Sequence, residues 1–97
     1  MCGIAGIISN DKNKLLEITI LLKYLQNRGP DSTDKLNVSD KLALGHTRLS
    51  IIDIDKRSNQ PMITRSKKNV IVFNGEIYNY KDLKKFFFNN FVFKTNS

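Results

Sequence analysis

The sequence predicts an α+β domain, and three observations carry that prediction. A stretch with helical spacing, residues 12–27, lies between short runs rich in β-branched and aromatic residues. A second stretch with a helix start signal follows an apolar run that ends in Asn74-Gly75. The chain has 97 residues, room for one small domain with a modest core. The order strand, helix, strands, helix, strand suits a layered α+β fold.

Gly3 to Ser9 reads as a strand, with Ile4, Ile7 and Ile8 and two glycines that permit close packing. Asn10-Asp11 can turn the chain and cap a helix. From Lys12 to Asn27, Leu15, Ile18, Leu22 and Leu25 fall along one helical face. Gly29-Pro30 ends it, the glycine in a left-handed cap and the proline unable to continue. Residues 31–40 are polar and read as a loop. Lys41 to Thr47 predicts a second strand, with extended chain through Arg48 to Asp53. Asp55 to Lys68 reads as a loop, and Val70 to Phe73 as a buried strand closed by a tight turn at Asn74-Gly75. Asn79 can cap a helix over Tyr80 to Phe88, ended by Asn89-Asn90, and Phe91 to Thr95 resembles a last strand. Too little chain remains beyond it to lock that strand, so an interrupted domain is expected.

Forty per cent of the residues are hydrophobic, ordinary for a globular chain. The net charge is +7, but the basic residues are scattered; only Arg65-Ser66-Lys67-Lys68 is dense. The abundance of Lys, Asn, Ile and Phe matches A/T-rich codons, so a solvated surface explains the charge better than a nucleic-acid partner. No apolar run reaches membrane-spanning length, and the N-terminus lacks a secretory pattern. A single cysteine forms no internal disulfide, and one Cys with one His falls short of a usual metal-ligand set. The expected location is the cytoplasm, with no membrane and no metal.

Chemistry concentrates on that cysteine, Cys2, directly behind Met1. A free thiol is mostly protonated at neutral pH and needs a base. Removal of Met1 would give Cys2 an α-amine with a pKa of about 7.7–8.0, on the same residue as the thiol. On position alone, a small apolar residue opening a strand is the simpler reading. Other residues shift the balance. Asn74 and the Gly75 N–H can serve as an oxyanion hole. Arg48 can grip a carboxylate with a two-pronged hydrogen bond, and Glu76 can bind an ammonium group. Each has a bland alternative, a turn or a surface charge, and spacing alone does not bring them together.

The blocks MCGIAGII, RGPD (Arg28–Asp31), GHTRLSIID (Gly45–Asp53), QPM (Gln60–Met62) and FNGEIYNY (Phe73–Tyr80) occur in this order. In these blocks the chain resembles the N-terminal glutaminase domain of glutamine-hydrolysing asparagine synthetases, a class II glutamine amidotransferase. The resemblance covers essentially all 97 residues. It implies a partial N-terminal-nucleophile (Ntn) hydrolase fold, an αββα sandwich of two antiparallel sheets between helices, with its C-terminal part missing. It implies that residues 1–97 are the front of that domain, that Cys2 attacks the side-chain amide of L-glutamine, and that Asn74 and Gly75 hold the oxyanion. By the same resemblance Arg48 holds the substrate carboxylate, the main chain of Leu49, Ser50, Ile51 and Ile52 lines the pocket, and Glu76 meets the substrate amine. Ammonia would pass to a synthetase domain that uses ATP and Mg; this chain itself takes no cofactor. Homodimerisation at full length is left open. The chain stops just before the family's amine-binding aspartate, and Asn89-Asn90 stands where a glycine is common. Little activity is expected of 97 residues alone.

Rival readings remain. A Cys2–His46 dyad would supply a base in another way, although His46 more naturally packs or bonds near Arg48. A glutaminase half feeding a different acceptor, a non-catalytic remnant and a small basic nucleic-acid-binding protein are the others.

Overall fold

The computed structural model describes all residues except Ile52, Phe88, Asn89, Lys94, Asn96 and Ser97. It is a small α+β structure with two antiparallel sheets. In the first sheet, β3 (Leu42–Arg48) lies between β1 (Gly3–Ile8) and β2 (Ser32–Ser39). β4 (Met62–Ile63) and β5 (Val70–Ile71) form a second, two-stranded sheet. Helix α1 is Lys14–Tyr24 and α2 is Tyr80–Phe86.

Strand register decides which residues form the core. Gly3 pairs with Thr47, Ala5 with Gly45 and Ile7 with Ala43. Side chains alternate across a strand, so these share one face. α1 lies on that face: Ile18, Leu22 and Ala43 are buried, with Ala5, Ile7, Leu15 and Leu25 packed around them. Gly45 makes room for the helix, since a Cβ there would sit 2.7 Å from a Leu22 methyl. Leu22→Ala should therefore lower the unfolding free energy by about 2–5 kcal/mol in urea titrations, the usual range for a core leucine. The opposite face carries Ile4, 48% exposed, and Ile8, 86% exposed.

Three predicted features change. Residues 32–39 form an edge strand rather than a loop. Its polar composition hid it, yet Leu36 and Val38 are half-buried between exposed Lys35, Asn37 and Ser39, and charge on an edge blunts further pairing. A bulge between Asn37 and Ser39 ends the regular register. Gly29 takes no left-handed conformation, because no glycine has positive φ; α1 ends at Tyr24 and turns carry the chain to Gly29. Gly29 is instead buried against β3. Lys14, one of the charges assigned to solvent, is 3% exposed, and its ammonium donates to the carbonyls of Asp11 (3.3 Å) and Asp40 (2.5 Å), tying the start of α1 to the β2–β3 turn.

The C-terminal half departs further. The Val70–Phe73 run pairs only over Val70–Ile71, and Phe73 is 41% exposed. Asn79 precedes α2 but makes no side-chain capping bond, and no residue of α2 is buried. The Phe91–Thr95 stretch shows no strand at its described residues; Lys94 lies outside them, as do Phe88 and Asn89 at the expected helix end. Among the described residues, no helix is long and apolar enough to cross a membrane.

Candidate active site

Cys2 stands one residue before β1, and Arg48 closes β3, its antiparallel neighbour. The register therefore sets Cys2 beside the chain that leaves β3. Cys2 is half-buried, with the Leu49 N–H 3.4 Å and the Leu49 carbonyl oxygen 3.9 Å from Sγ. Met1 is 73% exposed, open to removal.

The Arg28-Gly29-Pro30-Asp31 segment wraps this corner. Arg28 Nε donates to the Cys2 carbonyl at 3.2 Å, and the Asp31 N–H donates to the Arg48 carbonyl at 2.9 Å. The Asp31 carboxylate accepts from the Ser50 N–H at 2.6 Å. One short segment thus holds both the Cys2 backbone and the main chain expected to line the pocket.

Arg48 is 7% exposed. Its Nη1 donates to the Asp55 carbonyl (2.9 Å) and Asn59 Oδ1 (2.8 Å), and Nη2 to the Asp53 carbonyl. The loop that accepts these bonds is itself stiffened. Ser58 Oγ donates to Asp53 Oδ2 at 2.9 Å, and Asp55 caps the Lys56–Ser58 turn through the Arg57 N–H. The Arg57 side chain and N–H bonded to Asp55 hold its carboxyl down at about 2. A guanidinium has five N–H donors, so Nε–H and one on Nη2 remain for a ligand among the described residues. A cleft of about 370 Å³ opens here, lined by Asp31, Ser32, Arg48, Ser50 and Asn59 among others. Another of about 400 Å³ lies between α1 and β2 and holds no candidate residue.

Asn74, Gly75 and Glu76 are all exposed, and no hydrogen bond among the described residues joins them to Cys2. They reach the sheet through Phe73, whose carbonyl lies 3.2 Å from His46 Nε2 and whose N–H donates to Gln60 Oε1 at 2.5 Å. Gln60 precedes a cis peptide to Pro61. Ile51 is 76% exposed, and Ile52 lies outside the described residues. Arg28, Asp31, His46 and Gln60 received no role from sequence reasoning, apart from His46 as a rival base. Their only signal was membership in the quoted blocks. Among the described residues, no group of three or more His, Cys, Asp or Glu could hold a metal ion.

His46 is 1% exposed. Burial above all, and then the Arg48 charge, depress its pKa below 6.5, against the opposing pull of the Phe73 carbonyl and Asp34. As pH falls below 6.5 the unfolded chain takes up this proton before the folded one. Stability present above that pH is then lost on acidification. Urea unfolding between pH 7.5 and 5.5 should show this fall, and His46→Gln should remove that part of the slope.

An exposed Met1, a Cys2 thiol held against Leu49 at the entrance of β1 and the anchored Arg48 side chain thus meet at one corner of the first sheet. Residues 1–97 match the model of the glutamine amidotransferase domain family, and the chain belongs to that family. It is 38% identical to glutamine-hydrolyzing asparagine synthetase 2 of Bacillus subtilis (strain 168), with 100% of this chain and 13% of that protein covered. Glutamine-hydrolyzing asparagine synthetase B of Escherichia coli (strain K12) is 36% identical, with 100% and 18% covered. A putative glutamine-hydrolyzing asparagine synthetase 2 of Methanocaldococcus jannaschii is 38% identical, with 90% and 20% covered. The chain thus spans between 13% and 20% of the length of these relatives.

Proposed function

We propose that residues 1–97 are the front part of an Ntn-hydrolase αββα domain that hydrolyses L-glutamine and supplies ammonia for ATP-dependent asparagine synthesis from aspartate. Family membership supports the glutamine chemistry, and the names of the relatives support the acceptor. The observation that carries the reading is Cys2 Sγ held against Leu49, next to the buried Arg48 fork.

On this reading Met1 is removed and the Cys2 amine takes the thiol proton. The sulfur then attacks the side-chain amide carbon of glutamine. Asn74 and the Gly75 N–H stabilise the developing oxyanion. The C–N bond breaks, the nitrogen leaves as ammonia with the proton from the amine, and water cleaves the thioester to give glutamate. The free edge of Arg48 takes the substrate carboxylate, the Leu49–Ile52 main chain lines the pocket, and Glu76 meets the substrate amine. ATP and Mg belong to a synthetase domain outside these residues. The cytoplasm is the matching location.

The test is to incubate the full-length gene product with L-glutamine and follow both products. Glutamate and ammonia should form in equal amounts. No release from a folded, Met1-processed protein overturns the proposal. Asn74→Ala should lower kcat by about 10²–10³-fold, the usual loss of one oxyanion donor, with a smaller change in KM.

A further inference from the structure

Beyond Ile71, ladder pairing no longer supports the chain that leads to Asn74 and Gly75. Side chains hold it instead. The backbone N–H of Phe73 goes to Gln60, and its carbonyl to His46. A carbonyl only accepts, so His46 carries its proton on Nε2 and donates. Nδ1 is then a bare acceptor, buried and without a partner among the described residues. Such an atom costs stability, and a histidine kept at that cost calls for a reason other than packing.

The geometry points to His46 as the positioning residue of the oxyanion hole, an inference that rests on the glutaminase reading above. His46 sits in the central strand, opposite Ile4 on one side and Asp34 on the other, so its ring is fixed by the sheet. From there it sets the Phe73 carbonyl at 3.2 Å. The Phe73 ring carries the constraint onward: a Cβ on Gly75 would lie 2.8 Å from its Cζ, so the ring lies tight against Gly75. The path runs from His46 Nε2 to the Phe73 carbonyl, then through the ring to the residue whose N–H is one proposed oxyanion donor. No hydrogen bond among the described residues joins His46 to Cys2, so in this proposal it acts through Phe73 rather than as the base of a dyad.

The test uses the full-length gene product, with His46→Phe, which keeps the ring and loses the donor, and His46→Gln, whose amide nitrogen reaches the place of Nε2. Each protein is read by glutaminase kinetics and by amide exchange of residues 73–76 in ¹⁵N spectra. His46→Phe should lose about 10–100-fold in kcat, part of the effect of deleting an oxyanion donor, with KM for glutamine nearly unchanged. His46→Gln should recover most of it. Exchange should quicken at residues 73–76 in His46→Phe, and not at Ile18 or Leu22. A folded His46→Phe with wild-type kcat overturns the role, as does equal loss in both variants. Should His46→Phe fail to fold, His46→Gln decides: near-wild-type kcat with an Nε2–H resonance bonded in the wild type supports the role, and a large kcat loss overturns it. If the wild type itself does not hydrolyse glutamine, the glutaminase reading has failed. Exchange then judges His46 alone, with unchanged protection in His46→Phe overturning its hold on the segment.

Discussion

On the proposed reading, Cys2→Ala should abolish glutamine hydrolysis by the full-length gene product, to less than about one part in 10³ of wild type, while leaving the fold intact. The alanine keeps the half-buried position at the entrance of β1 and removes only the sulfur that faces Leu49. Nothing else in the described site offers a comparable nucleophile, since the chain has one cysteine. Losing a covalent nucleophile typically removes most of the catalytic advantage. Matched circular dichroism spectra and urea midpoints establish that the variant is folded. Normal turnover in such a protein would sink the mechanism. Blocking Met1 removal with Cys2 in place should give the same loss. That result separates the N-terminal amine from a His46 base, which would survive the block.

Gly29→Ala should cost stability and disorganise the site together. A Cβ at Gly29 would lie 2.5 Å from the Arg48 nitrogen and closer still to the Thr47 carbonyl group. These are backbone atoms of the central strand and cannot swing aside as a side chain can. The loss should exceed about 2 kcal/mol, toward the upper end of overpacking costs. Gly29 also sits between Arg28, which bonds the Cys2 carbonyl, and Asp31, which bonds Ser50. Displacing it therefore moves both walls of the corner. Gly6→Ala is the control: its Cβ would meet a flexible Leu44 methyl at 3.3 Å, and a change below about 1 kcal/mol is expected. A Gly29→Ala protein as stable as Gly6→Ala would refute the steric account.

How much of this was legible in the residues differs along the chain. α1 was legible because Leu15, Ile18, Leu22 and Leu25 repeat at helical spacing, a local pattern that needs no partner. Strands β1 and β3 were legible from their apolar runs, and the strand-entry position of Cys2 from its place in the chain. β2 was not, because an edge strand facing water is polar and looks like a loop until its partner supplies the pairing. Gly29 was read as a conformational glycine because sequence shows where a chain turns, not what lies across from it.

The sequence determined the family and the candidate list, with Cys2 at its head, since those are carried by residue identity in order. Tertiary structure decided the rest. The β1–β3 register set Cys2 against Leu49, and the 53–59 loop occupied three donors of Arg48. A buried His46, 27 residues away in sequence, took hold of the Phe73 carbonyl. Each is a contact between segments distant in the chain, fixed by pairing register and burial, and none acts until the chain has folded.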